Sequence, residues 1–333
     1  MKYAIVILSL LFVFTNACSH DCLQNRAAFD IGSSTTKMVV ATVDTCQQNV
    51  KQILEEKTIK VGYKDDLDNS QGVFSEEIQR KGLEALKQLK KIAQKYNPNE
   101  YAGIATSAFR KSKNGVVLAN KINEKLGIRV LIIPQRTEAI LGFLAAYPQT
   151  GFDKKEILVW DIGGGSMQIT MAQDDDTFEV YEGKLAAVGM KNMIICAIQG
   201  KSYKDVQSPN PMGEAVATKA VNMAQYYAAI HVQKAIKEKA KHLTVLGIGG
   251  CHYYCVRKQC VNEGKTYTIS DVEKTLTTRC KLTDSEIGGK YAPTDISNLA
   301  LVLGFMKELE IEKVKTLKAN MAHGILIYPK YWN

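Results

Sequence analysis

The sequence predicts an α/β fold of two duplicated domains, each a mixed sheet flanked by helices, with the active site in the cleft between them. Three observations carry this. The run RAAFDIGSSTTKMVVATVD begins at Arg26, and ILVWDIGGGSMQITM begins at Ile157. Each sets an apolar strand, Asp-Ile, a turn of small residues and a second strand, which is the pattern of a β-hairpin. Between the two runs, strand and helix patterns alternate, as parallel β-α-β pairing requires. Duplicated halves facing each other would bring one Asp from each to the same cleft.

The chain has 333 residues, 46% apolar and 23% charged, a composition that excludes disordered and fibrous classes and suits two domains of average size. Met1-Lys2-Tyr3, an apolar stretch from Ala4 to Phe14 and Thr15-Asn16-Ala17-Cys18 have the three-part layout of a secretory signal, with cleavage after Ala17. The stretch is shorter than the ~20 apolar residues a spanning helix needs. Export to the periplasm or medium is therefore expected. Cys18, directly after the cleavage site, offers a lipid anchor as the alternative to a soluble form.

The elements follow in order. Ile78, Leu83, Leu86, Leu89 and Ile92 fall at helical spacing between Ser75, a ready N-cap, and Pro98. A strand at Tyr101–Ala105 leads to Thr106-Ser107-Ala108-Phe109-Arg110, a helix over Val116–Leu126, a strand over Arg129–Ile133 and a helix over Glu138–Ala146. Tyr147-Pro148-Gln149-Thr150-Gly151 is the turn-rich break near the middle, so the expected units are a signal peptide (1–17), an N-terminal domain (26–147) and a C-terminal domain (148–333). The second half continues with helices over Pro211–Ala240, a strand over Leu243–Ile248 ending in Gly249-Gly250, and a helix over Asp295–Glu308.

The formal charge of +9, or +8 once Lys2 leaves with the signal, favours polyanionic partners. The lysines are spread along amphipathic stretches such as Lys81–Lys95, which read as solvated helix faces, and no nucleic acid partner is expected. Eight cysteines in an exported chain imply disulfides, with the connectivity open. Cys251, Cys255 and Cys260 lack the C-x2-C spacing of a zinc knuckle and are expected to be oxidised with the rest.

Cleaving a phosphoanhydride requires backbone N–H groups around phosphate oxygens, a divalent ion and a positioned base for water. Gly32, Ser33, Ser34 and Thr35 form one small-residue turn, and Gly163, Gly164, Gly165 and Ser166 the other. Without bulky side chains their amides can approach an anion closely. A Gly-rich turn alone is more often a tight bend, but two matched turns, each led by an Asp, favour phosphate. Asp30 and Asp161 are the candidate ligands for Mg²⁺ or another divalent cation, which prefers few carboxylates and several retained waters.

These segments resemble the exopolyphosphatase and guanosine pentaphosphate phosphatase (Ppx/GppA) family of the actin-like ATPase superfamily, over about Arg26 to Tyr328. Asp30 to Thr35 looks like its D-[IL]-G-S-N-S hairpin and Ala105 to Arg110 like its A-T-S-A-L-R segment. Thr137-Glu138-Ala139 is similar to its E-E-A helix start, and Asp161 to Gln168 to D-I-G-G-G-S-T-E. Gly247 to Cys251 is similar to its G-x-G-G-T phosphate loop, which adds Gly249 and Gly250 to the anion cradle. Ala322-His323-Gly324-Ile325 looks like R-E-G-[VL]. The resemblance implies two actin-like, ribonuclease H-like domains. Glu138 would activate the attacking water, Arg110 would bind phosphate, and Asp30 and Asp161 would serve the metal. Without it, Glu138 reads as an exposed acid at a helix start.

Two positions depart from the pattern. The family carries Glu where Gln168 stands, whereas secreted apyrases of the same superfamily look like D-L-G-G-A-S-T-Q there, with the Gln orienting the water. Cys251 replaces a Thr. From length arithmetic, the ~200-residue helical extension that longer members carry is expected to be missing, leaving a catalytic core. The expected activity is release of phosphate from polyphosphate or nucleoside polyphosphates, with self-pairing into a homodimer as a further partner expectation. A non-catalytic phosphate or nucleotide sensor is the competing reading. Asp30 to Lys37 also resembles the D-I-G-S-T-T-T-K of iron-sulfur dehydratase activators, a class that export argues against.

Overall fold

A computed structural model describes residues 22–174, 177–261 and 263–332. The signal segment and Cys18 lie outside them. The first sheet contains β1 (Leu23–Ile31), β2 (Thr35–Asp44), β3 (Asn49–Lys60), β4 (Glu100–Ala105) and β5 (Arg129–Ile132) in the order β3-β2-β1-β4-β5. The second contains β6 (Ile157–Ile162), β7 (Met167–Ala172), β8 (Phe178–Gly183), β9 (Thr244–Ile248), β10 (Thr266–Thr268) and β11 (Lys313–Thr316) in the order β10-β11-β9-β6-β7-β8. The hairpins β1-β2-β3 and β6-β7-β8 are antiparallel, and β4, β5, β9 and β11 join by parallel pairing. Apart from β10, which adds antiparallel to β11 at one edge, the two sheets have the same plan. The duplication expected from the two Asp-Gly hairpins is the architecture observed.

The central strands are buried on both faces, so their side chains divide by alternation. Ala27, Phe29 and Ile31 of β1 point to a core with Ile78, Leu86 and Leu89 of the helix Glu76–Ala93. Ser75 caps that helix, its side chain accepting from the Ile78 amide. Ala28 points the other way, toward Met321, Ala322 and Ile325 of the helix Met321–Leu326. The second half repeats this. Leu158, Trp160 and Ile162 face the helices Gly213–His231 and Ala292–Glu308, while Val159 faces Phe143, Ala145 and Ala146 of the helix Gln135–Ala146. Asp30 follows Ala28 and Asp161 follows Val159 at a spacing of two. Each Asp is therefore on the face that its sheet turns toward the interior.

Two helices join the halves. Gln135–Ala146 places Leu141 in the core of the first sheet and Phe143 in that of the second. Met321–Leu326 lies against it so closely that a Cβ on Gly324 would sit 2.6 Å from the Leu141 carbonyl oxygen, which explains a glycine there. The chain thus crosses to the second sheet through one helix and returns to the first through the other. Trp332 completes the return. It is buried beneath the Arg26 guanidinium, 4.6 Å from its ring centroid, with its indole N–H donating to the Ile325 carbonyl. Among the described residues no helix is long and apolar enough to cross a membrane.

A polar latch closes the same interface. His323 donates from Nε2 to Oε1 of Glu56 on β3 at 2.9 Å, and Lys318 pairs with Oε2. The His323 hydrogen bond, against the opposing effect of burial and with help from Lys318, holds the Glu56 carboxyl down at about 2. A carboxylate with a lowered folded-state pKa contributes stability that is complete above its ordinary value of 4.5 and disappears as pH falls toward 2. The melting temperature of the wild type should drop faster than that of Glu56→Gln over this window. Parallel melting profiles for the two proteins would show that the latch contributes nothing.

The cysteines correct one expectation. Cys22 and Cys46 form a disulfide that ties the start of β1 to the β2–β3 turn, but Cys196, Cys251, Cys255, Cys260 and Cys280 are free thiols. The physical reason is local. Residues Cys251–Val256 form a wide helical turn that runs into the helix Arg257–Cys260, and among the described residues the three sulfurs do not all converge within 4.8 Å of one another. Cys255 Sγ instead lies 3.4 Å from Asp295 Oδ1. The phosphate-loop candidate Gly249-Gly250 is therefore not braced by a disulfide at Cys251.

Candidate active site

A cleft of about 810 Å³ runs between the two sheets. Its wall contains Asp30, Gly32, Ser33, Ser34, Thr35, Glu138, Asp161, Gly163, Gly164, Gly165, Ser166, Gly249 and Gly250. Nearly every site residue expected from the sequence is brought to this one place. Arg110 and Gln168 are the two that do not line the wall.

The hairpin tips meet across the cleft, which small residues alone allow. A Cβ on Gly164 would lie 2.1 Å from Ser34 Oγ, and one on Gly165 would lie 2.4 Å from Ser33 Oγ. Other segments fix the tips. Ser107 donates to the Gly165 carbonyl at 3.0 Å, the amides of Val61 and Gly62 donate to Ser34 O, and those of Ala187 and Val188 donate to Gly163 O and Gly164 O.

Glu138 is buried, not exposed as its place near a helix start suggests. The helix begins at Gln135, three residues before the expected start, because Pro134 sets the entry and Gln135 donates its side-chain amide to Met167 O and Gly183 O of the second hairpin. That contact turns the first helical turn into the cleft. Arg110 Nη1 then bonds Glu138 Oε2 at 2.7 Å, and Ser166 Oγ donates to Oε1 at 3.1 Å. Burial pushes the Glu138 carboxyl up, and Arg110 opposes that. Arg110 also donates to Ile133 O. It is engaged as the partner of Glu138.

The two hairpins match residue for residue. Asp30 pairs across its hairpin with Lys37, and Asp161 pairs across its own with Gln168. Lys37 Nζ lies 2.9 Å from Asp30 Oδ2. Burial pushes its ammonium down, but Asp30, Asp161 and Glu138 together outweigh this and leave it above the ordinary value. Burial, reinforced by Glu138 and Asp30 and opposed by Lys37, raises Asp161 to about 7. The centre thus gathers three buried carboxyl groups around Lys37 and beside Arg110, in surroundings where burial disfavours uncompensated negative charge.

Such a centre suits a divalent cation. Asp30 Oδ1 is buried without a hydrogen-bond partner among the described residues. The carboxylates do not converge into a cage: among the described residues the one cluster of three ligand-type groups within 4.8 Å is Cys22, Asp44 and Cys46, whose sulfurs are bonded to each other. A cation held by one or two carboxylates and several waters fits such spacing.

Residues 39–328 match the model of the Ppx/GppA phosphatase family. The chain belongs to the Ppx/GppA phosphatase family. Among curated relatives it is similar to a bifunctional 3-dehydroquinate synthase/phosphatase of Fusobacterium nucleatum, at 33% identity over 44% of this chain and 23% of that one. It is also similar to a guanosine-5'-triphosphate,3'-diphosphate pyrophosphatase of Photobacterium profundum, at 29% identity over 49% of this chain and 32% of that protein. The matched region spans less than half the length of these relatives. The fold is shared with the Aquifex aeolicus Ppx/GppA enzyme, TM-score 0.70 at 17% identity over 92% of this chain and 99% of that one. An exopolyphosphatase from Cytophaga hutchinsonii gives 0.74 at 16% identity over 91% and 96%. The two-domain, actin-like architecture is the Ppx/GppA fold.

Within this Ppx/GppA chain, sequence reasoning missed Lys37, Ser107 and Lys191. Lys37 could have been found, because it stands seven residues after Asp30 as Gln168 stands after Asp161. Ser107 and Lys191, which is buried 3.6 Å from Asp65, depend on contacts between distant segments and leave no local signal. Gln168 is buried beside Asp161, and its amide nitrogen has no partner among the described residues.

Proposed function

We propose that the chain releases phosphate from polyphosphate or nucleoside polyphosphates by attack of a water on a terminal phosphorus, with Glu138 as the base. The observation that carries this reading is the position of Glu138: a buried carboxylate on the cleft wall, fixed through both oxygens, beside two glycine-rich hairpin tips. Burial raises its proton affinity, while Arg110 opposes that rise and aims the carboxylate. The amides of Gly32–Thr35, Gly163–Ser166 and Gly249-Gly250 are the groups to receive phosphate oxygens as negative charge shifts in the transition state. Lys37, between the carboxylates, would offset phosphate charge. Asp30 and Asp161 would hold Mg²⁺, which supplies charge neutralisation at the phosphoryl group when bound.

Export belongs to the same proposal. The amino-terminal signal pattern supports it, and so does the Cys22–Cys46 disulfide, since such bonds persist in oxidising compartments. The test is a phosphate-release panel on residues 18–333 with Mg²⁺, covering nucleoside di- and triphosphates, guanosine pentaphosphate and long-chain polyphosphate. Release from at least one class is expected. Silence across the whole panel would leave a binding-only sensor as the better reading.

A further inference from the structure

The mouth of the cleft carries a feature that phosphate chemistry alone does not use. Lys57 and Lys60 project from β3 of the first half. Tyr254, Lys258, Lys290 and Tyr291 come from the second, and all six line the cleft. The Lys60 ammonium donates to the Lys290 carbonyl at 2.9 Å, so the two halves meet at this rim. Tyr254 is 51% exposed and Tyr291 is 38% exposed. Each ring has an ammonium near its face: Lys258 at 5.6 Å from the Tyr254 centroid, and Lys60 at 5.0 Å and Lys290 at 5.2 Å from that of Tyr291. Among the described residues none of the four lysines is ion-paired with a carboxylate.

Lysines of this kind serve any phosphate chain. The aromatic faces do not, because an inorganic polyphosphate has no flat group to lie against them, whereas a nucleobase does. Base-on-aromatic stacking is worth on the order of 1–3 kcal/mol and tolerates any base, since every base has a π-face. Tyr291 and Lys37 of the carboxylate centre line the same cleft. The rim is therefore near enough to the centre for one ligand to span both.

We infer that the tyrosine-lysine rim is a nucleobase subsite, making nucleoside polyphosphates the preferred substrate class over inorganic polyphosphate. The base stacks on Tyr254 or Tyr291, the rim lysines take the phosphates nearest the ribose, and the terminal phosphate reaches the hairpin tips. This rests on the reading of the cleft as a phosphoanhydride site, but it can be tested without turnover.

The experiment compares two probes with Mg²⁺ by calorimetry: adenosine imidotriphosphate, whose β–γ bridge resists hydrolysis, and inorganic tripolyphosphate, which has phosphates but no base. The wild type should bind the nucleotide more tightly. The double variant Tyr254→Ala/Tyr291→Ala should reduce the ratio of the two affinities about tenfold, the equivalent of one stacked base. Tyr254→Phe/Tyr291→Phe, which keeps the faces and loses the hydroxyls, should restore it. A ratio unchanged by the alanine variant, or a phenylalanine variant as defective as alanine, would overturn the subsite. Binding of both probes by a protein that releases no phosphate from any hydrolysable substrate of the panel would count against the hydrolase reading and leave the subsite standing.

Discussion

Glu138→Gln is expected to lower kcat by about 10²–10⁴-fold, the range that a positioned general base contributes. The amide matches the carboxylate in shape, so it keeps a hydrogen-bond acceptor for Arg110 and a partner for Ser166 Oγ, but it cannot take a proton from water. Substrate binding should survive, because the glycine-rich tips and Lys37 are untouched. Folding should survive as well, since Arg110 is partly solvated and also bonds Ile133 O. The measurement is steady-state phosphate release on the best substrate of the panel, with the melting temperature as a folding control. A folded variant with kcat within threefold of wild type would remove Glu138 from the mechanism.

Gly249→Ala should be nearly as damaging, for a reason lying in the backbone. Gly249 has φ of +81°, a region where a side chain costs on the order of 1 kcal/mol or more. Its new Cβ would stand 2.3 Å from Asp161 Oδ1 and 3.0 Å from the Ile162 carbonyl oxygen. The carboxylate must move, and displacing a catalytic group by about 1 Å can cost ~10²-fold in rate. A loss of that order in kcat/KM is expected, with weaker divalent-cation affinity and a stability loss of roughly 1–3 kcal/mol from overpacking. Gly250 is the internal comparison for stability. Its φ is −66°, and nothing lies within 4 Å of its Cβ position, so Gly250→Ala should leave folding stability within about 0.5 kcal/mol of wild type. Equal stabilities for the two alanine variants would contradict the packing account.

The parts of this architecture that were legible in the sequence are those written in local pattern. The two Asp-Ile-Gly hairpins announce a duplication because strand periodicity and turn chemistry occupy adjacent residues. The helix Glu76–Ala93 announces itself through its apolar spacing and Ser75. β3 escapes notice because it forms one edge of its sheet, and its charged text, NVKQILEEKTIK, reads like a solvated face. The return of Met321–Leu326 to the first sheet is invisible for a different reason: an apolar helix face does not name the sheet that it will cover. The same holds for chemistry. Glycine, serine and aspartate at the tips could be placed from spacing, since hairpin register fixes them relative to one another. The environment of Glu138 could not, because Arg110, Gln135 and Ser166 reach it from separate segments. The thiols at Cys251, Cys255 and Cys260 were misjudged because compartment suggested oxidation while the backbone there is helical.

The most direct test of the central claim, water attack on a terminal phosphoanhydride in this cleft, is hydrolysis in water enriched in oxygen-18. Attack on the terminal phosphorus by a water positioned at Glu138 places one labelled oxygen in the released orthophosphate, and Glu138→Gln should suppress the labelled product in proportion to its loss of rate. Orthophosphate released without label, or label confined to the shortened chain, would contradict the account.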